Sequence, residues 1–309
     1  MNEEINTERQ IRKGFSIMLI SIKNENVSAA VETLGAELVS FVSQDGFEHI
    51  WQGDSKYWGG HAPVLFPIVG ALRSNRTKIN GLWYEMGRHG FARRREFVVA
   101  DQREDAVVLE LCADEETKKL YPFDFRFTVS YILTGSSVTT EFKIENTGDV
   151  PMPYSVGGHP GFNLPIEADE TFEDYDIVFE KPETQKCPAI HPTECLIDYE
   201  KTIFEMKNED TIPLQHSLFY NDALVFSDLE STTITLKSRK SGRGVMMEFS
   251  GFPLFGIWSA ANDGPYVALE PWTGCATAFN ESDEFIEKRG MRTLEVGENE
   301  KFAFTVFSI

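Results

Sequence analysis

No stretch of 18 apolar residues occurs anywhere in the 309-residue chain, which leaves no candidate for a membrane-spanning helix. The first 17 residues mix both charge signs and lack the apolar core of a signal peptide, so a cytoplasmic protein is the expectation. Cysteine is scarce. Cys112, Cys187, Cys195 and Cys275 are the whole complement and no two stand as Cys-x-x-Cys, so their spacing suggests neither a disulfide framework nor a zinc site. They read as reduced packing residues, since a buried free thiol behaves as a small hydrophobe. Positive charge is short as well: 29 Lys and Arg stand against 49 Asp and Glu, and the net charge of −20 repels phosphate backbones and anionic membrane surfaces. Nucleic acid and membrane are therefore not the expected partners. Helical periodicity is nearly missing; residues 115–120 and 284–288 supply a turn or two each, too little for a helical layer over a sheet.

What the chain does have is apolar material in alternation. With 41% hydrophobic residues and 24 Phe it can fill a large core. Phe123, Phe125, Phe127, Val129 and Tyr131 alternate with Asp124, Arg126, Thr128 and Ser130, which places the large apolar groups on one face of a half-buried strand. After the turn Thr134-Gly135-Ser136-Ser137 the alternation resumes in Val138, Thr140, Phe142 and Ile144 and closes at Asn146-Thr147-Gly148, a long hairpin. Asn80-Gly81, between residues 77–79 and 82–84, is the strongest short hairpin signal. Residues 97–100 and 107–111 pair around a charged turn, and further strands are expected at 232–237, 244–249, 255–259, 266–269 and 301–307. Each such strand has one face to bury, so the expected fold is all-β: two large antiparallel sheets packed face to face as a β-sandwich, with less than about a fifth helix. No repeat, linker or composition shift divides the chain. Residues 18–309 are expected as one domain and 1–17 as a loose N-terminal tail, because the apolar pattern begins at Met18.

Three segments depart from this patterning by placing a titratable side chain where a turn or strand end brings it to the rim of a sheet. In Tyr266-Val267-Ala268-Leu269-Glu270-Pro271-Trp272, Pro271 is expected to stop the strand just after Glu270, so that the carboxylate emerges at its end. In Gly157-Gly158-His159-Pro160-Gly161-Phe162-Asn163-Leu164, the glycines let the backbone around His159 approach a ligand closely. The third is Gly87-Arg88-His89-Gly90-Phe91-Ala92-Arg93, where a histidine opens a basic run.

Together, His89-Gly90-Phe91-Ala92-Arg93, Gly157 to Leu164 and Ala268-Leu269-Glu270-Pro271-Trp272 resemble the aldose 1-epimerase (galactose mutarotase-like) superfamily, most closely its LacX-like branch, from about Met18 to the C-terminus. The resemblance implies a galactose mutarotase-like supersandwich and interconversion of the α and β anomers of a sugar without metal or organic cofactor. By family position Glu270 matches the general base, His159 the general acid and His89 the second histidine near the sugar ring oxygen. Asp222 is similar to an aspartate that binds sugar hydroxyls, and Trp272, ahead of Trp58 and Trp258, is a candidate to stack on a sugar face. An arginine of the sugar site falls at Leu72 in this chain with Arg73 one place later, which makes Arg73 the candidate. Hexose-6-phosphate mutarotases use the arginine that matches Arg93 for phosphate, but the position of their second phosphate arginine is Gly59 here.

These residue types suit the chemistry. Opening a hemiacetal removes the proton of the anomeric hydroxyl while delivering one to the ring oxygen, a task for a carboxylate and an imidazolium, each contributing roughly 10² to 10⁴ in rate. The expected partner is thus a small-molecule sugar, a free aldose or a sugar phosphate. His89, His159 and Glu270 are expected to converge on one concave site, joined by Arg93 and at least one of Arg73 and Arg88. Glu270 and His159 are expected about 5 to 7 Å apart, room for the sugar oxygens between them. The alternatives are a non-catalytic carbohydrate-binding or sensor protein, and a glycosidase or lyase, which needs a second well-placed carboxylate.

Overall fold

Alternation builds the strands it predicts. In the computed structural model, which describes residues 7–12 and 15–309 with side chains from Ile17 onward, Phe125, Phe127, Val129, Tyr131 and Leu133 of strand Phe125–Thr134 are buried while Arg126 and Thr134 are exposed. That strand pairs with Ser137–Asn146 from Phe125↔Asn146 to Thr134↔Ser137. The hairpin sits inside a nine-stranded antiparallel sheet that runs, edge to edge, through Ile197–Pro213, Tyr175–Ile190, Thr233–Ser238, Gly244–Glu248, Asn299–Ser308, Ser137–Asn146, Phe125–Thr134, Ala106–Cys112 and Val98–Gln102. A second sheet is ordered Leu224–Ser227, Leu254–Trp258, Tyr266–Trp272, Gly157–Gly158 and Val64–Leu65, with Gly161–Asn163 also paired to Tyr266–Trp272. A third has four strands, Thr7–Arg12, Phe15–Lys23, Val27–Glu32 and Glu37–Ser43. Strands make up 52% and helix 7%, so the fold is all-β. The one α-helix among the described residues, Glu115–Lys118, is a single turn closed by Asp114, whose carboxylate accepts the Thr117 N–H. No helix there is long and apolar enough to cross a membrane.

The sheets are joined by one apolar cluster. It takes Val31 and Phe41 from the four-stranded sheet, Phe127 and Phe142 from the nine-stranded sheet, and Val267 and Leu269 from the second sheet. Phe66, just past Val64–Leu65, stacks on Phe127 at 4.5 Å and 23°. Each fully buried Phe of this kind contributes roughly 1.5 to 3 kcal/mol by leaving water.

One expectation is corrected at the N-terminus. Within the segment read as a loose tail, Thr7–Arg12 is a strand paired with Phe15–Lys23 from Thr7↔Ile20 to Arg12↔Phe15; residues 1–6, 13 and 14 lie outside the described residues. An edge strand is held by its backbone ladder, which demands no apolar alternation, so the search for alternation passes over it.

Candidate functional site

Strand Tyr266–Trp272 organises the site. Its period of two sends Val267 and Leu269 into the main core and Glu270 and Trp272 to the other face, where both line a cavity. Leu254–Trp258 flanks one side, with Gly256 opposite Glu270 and Leu254 opposite Trp272. On the other side the neighbouring strand is broken: Gly161–Asn163 pairs with residues 268 to 266, and Gly157 pairs with Trp272. The interruption is His159-Pro160, whose Pro160 carbonyl accepts the Leu269 N–H at 3.1 Å. This break brings the His159 side chain beside Glu270. It also corrects the expected strand end, since the strand runs on through Pro271 to Trp272. The N–H groups of Leu269 and Thr273 both point to the broken neighbour, accepted by Pro160 and Val156, so Pro271 lacks its donor on the side where the ladder is interrupted.

His89, His159 and Glu270 meet at one cavity of about 410 Å³ including its open mouth, within the usual range for small-molecule sites. Asp222, Trp258, Trp272, Cys275 and Arg88 line it too, with Cys195 from the loop that joins Tyr175–Ile190 to Ile197–Pro213. Of Arg73 and Arg88, one of which was expected at this cleft, it is Arg88 that lines it. Cys195 had no signal at all, because nothing local tells where the tip of a long hairpin will fold.

The spacing of His159 and Glu270 differs from expectation. His159 Nε2 lies 3.3 Å from Glu270 Oε2, in direct contact. Both side chains are almost fully buried, and with Glu270 Oε2 and His159 Nδ1 lacking any hydrogen-bond partner in another residue, each is the nearest electrostatic complement of the other. Burial pushes the Glu270 carboxyl well above the usual carboxylate range, which the Arg88 charge opposes and Asp222 reinforces. Burial pushes His159 down to about 3, helped by the charges of Arg88 and Arg93. Both groups therefore favour their neutral forms.

His89 is held differently. It takes a left-handed φ of 66°, uncommon for a non-glycine residue, and both ring nitrogens face donors, Nδ1 the Gly70 N–H at 3.2 Å and Nε2 the Arg88 Nε–H at 3.1 Å, of which a neutral ring accepts one. An imidazolium, with a proton on each nitrogen, fits neither donor. Burial and the Arg88 charge push its pKa well below the usual value in agreement. His89 can position a sugar but is poorly placed to carry a proton to it. Arg88 also reaches Asp222 Oδ1 and Cys195 Sγ, each at 3.5 Å, and Asp222 accepts the N–H of Ala223.

Two arginines are placed elsewhere. Arg73 donates to Asp283 Oδ1 at 2.7 Å and to the carbonyls of Ala278, Phe279 and Glu281, so its donors are spent on fixing that loop and it does not border the cavity. The expected sugar contact by Arg73 is thereby corrected. Arg73→Ala is expected to lower stability by about 1 to 2 kcal/mol and to leave sugar affinity unchanged, read by urea denaturation and a sugar titration. Arg93 does not line the cavity either; its backbone packs on Gly35, and its charge acts on both histidines and on Glu37. Trp272 borders the cavity, while Trp58 does not. Among the described residues no group of three or more His, Cys, Asp or Glu is arranged to hold a metal ion.

Comparison with known proteins bears on this arrangement. A family model described as aldose 1-epimerase matches residues 18–306. The chromosomally encoded protein LacX of Lactococcus lactis subsp. lactis is 37% identical over 280 residues, 88% of this chain and 93% of that protein. A crystal structure of a galactose mutarotase related enzyme from Lactobacillus acidophilus superimposes with a TM-score of 0.90 at 32% identity, covering 94% of this chain and 97% of that one. A putative glucose-6-phosphate 1-epimerase of Escherichia coli K12 is 27% identical over 172 residues, 52% of this chain and 54% of that protein.

Proposed function

The chain belongs to the aldose 1-epimerase family, and on that premise we propose that it interconverts the α and β anomers of a free aldose, with Glu270 as base and His159 as acid. The observation that carries this reading is the buried His159–Glu270 contact at the cavity wall. Since burial raises the carboxyl and depresses the imidazole, the pair holds a single proton over a wide pH range, resting on Glu270. The same proton moved to His159 gives carboxylate and imidazolium. Glu270 then takes the proton of the anomeric hydroxyl while His159 protonates the ring oxygen, and the C1–O5 bond breaks to leave the open-chain aldehyde. That step returns the pair to its resting form. Rotation about C1–C2 presents the other face of the carbonyl, and the reverse transfers close the ring as the other anomer. Arg88, the cation nearest both Asp222 and His89, favours the ionised form of Glu270.

A free aldose is favoured over a sugar phosphate because Arg88 already faces Asp222 and Arg93 stands off the cavity wall. NMR anomer exchange on a panel of aldoses and their 6-phosphates tests this. Exchange confined to the phosphates overturns the substrate assignment, and tight binding with no exchange of any sugar favours a binding protein instead.

The proton inventory sets the pH dependence. Catalysis, after subtraction of the spontaneous rate, is expected to hold over the pH range in which the pair keeps its single proton. It should fall on the acid side towards pH 3, as His159 takes a second proton and no base is left, and on the alkaline side as the pair loses its only proton above the usual carboxylate range. A profile centred on an ordinary histidine, with its acid limb near 6.5, contradicts the shared proton.

A further inference from the structure

His89 and His159 differ in how their rings are fixed. Both nitrogens of His89 face a donor from another residue, at 3.2 and 3.1 Å, whereas His159 Nδ1 has no partner in another residue. A histidine that carries a proton is ordinarily oriented through the nitrogen it does not use. At His159 an aromatic column stands in that place. The Trp58 indole stacks on the His159 ring at 4.9 Å and 29°, Tyr266 stacks on Trp58 at 5.6 Å and 28°, and Trp51 stacks on Tyr266 at 4.6 Å and 27°. Trp258 closes the group edge-on to His159 at 5.4 Å.

The column is anchored at its base and tightly enclosed. Trp51 Nε1 donates to the Trp58 carbonyl at 2.8 Å, and the Trp58 N–H is accepted by Asp54. A Cβ at Gly60 would stand 2.7 Å from the Trp58 ring and one at Gly161 3.0 Å, so both backbones close on the indole where only glycine fits. Gly161 is two residues from His159 itself. Since Trp58 does not line the cavity, a role as a stacking surface for the sugar is not open to it.

We propose that Trp58 is the positioning residue for His159, holding the imidazole plane so that Nε2 stays aimed at Glu270 and offering its π face to the imidazolium. The attraction of a cation to an indole face opposes the burial and the arginine charges that disfavour protonated His159. The kinetic consequence rests on the mutarotase reading above, while the positioning itself does not.

Trp58→Leu, Trp58→Met and Trp58→Phe test it by two measurements. The first is the His159 Hε1 resonance, which the ring current of a stacked indole moves upfield in the wild type; it should return towards its ordinary position in the Leu and Met variants and stay displaced in Trp58→Phe. The second is the rate of exchange: kcat should fall about 10- to 100-fold in Trp58→Leu with KM within about threefold, as misplacement of a catalytic group does, and Trp58→Phe should recover most of it. Trp58→Met, a flexible apolar side chain without a π face, serves if the Leu variant does not fold. An unchanged His159 resonance in the Leu or Met variant overturns the proposal, as does kcat within twofold of wild type. A wild type without exchange on any sugar removes the mutarotase reading alone, and the resonance still decides the role of Trp58.

Discussion

Glu270→Gln is expected to lower catalysed anomer exchange by about 10² to 10⁴ while leaving sugar affinity within a few-fold, because the amide keeps the shape of the carboxyl and cannot take a proton. Glu270 is 1% exposed, opposite Gly256 in a central strand, so the substitution has little freedom to rearrange its surroundings. The same variant should be the more stable protein. The folded-state pKa of Glu270 lies above its unfolded value, so the wild type gains from it most fully below the ordinary carboxylate range and loses that gain as the pH rises towards the raised value. Glutamine has nothing to ionise. Its thermal stability relative to wild type should therefore grow as the pH rises from the ordinary carboxylate range towards that raised value. His159→Asn should lose exchange to a similar extent. Full exchange in either variant overturns the acid and base assignment, and a stability gap that shrinks with rising pH overturns the sign of the Glu270 shift.

Phe127→Ala is expected to cost about 3 to 5 kcal/mol, a large share of the roughly 5 to 15 kcal/mol that holds a typical domain folded. Phe127 is fully buried and its ring meets Phe66 at 4.5 Å and Phe97 and Phe142 at 6.0 Å, so the deletion opens a cavity where the nine-stranded sheet meets the second one. Its neighbour provides the control. Arg126 points to the other face, exposed and paired with Glu110 and Glu145, and Arg126→Ala should cost no more than about 1 kcal/mol. Urea denaturation reads both. Equal costs at 126 and 127 contradict the assignment of inner and outer faces.

Much of the fold was legible because a half-buried strand writes its orientation into consecutive residues. Residues 125–146 form the expected hairpin, and Asn80 and Gly81 take the left-handed φ values, 51° and 78°, that their turn was chosen for. The long pair Tyr175–Ile190 and Ile197–Pro213 was not legible. Its register shifts at four places between Val178 and Ala189, and every bulge resets the alternation that a sequence reading depends on.

The sequence by itself determined the class of fold, the segments that meet at the cavity and the titratable residue types they bring there, since these follow from local periodicity and from motifs of a few residues. Only the tertiary structure decided how those segments meet. Arg73 and Arg88 are near in sequence and alike in charge, yet one is spent on the 278–283 loop and the other faces the cavity, because which carbonyls and carboxylates surround a guanidinium is settled by chain more than 100 positions away. The contact of His159 with Glu270, the column of rings that includes Trp58, and the direction in which each titratable group is pushed belong to the same level. They depend on burial, and burial is a property of the packed sheets rather than of any one strand.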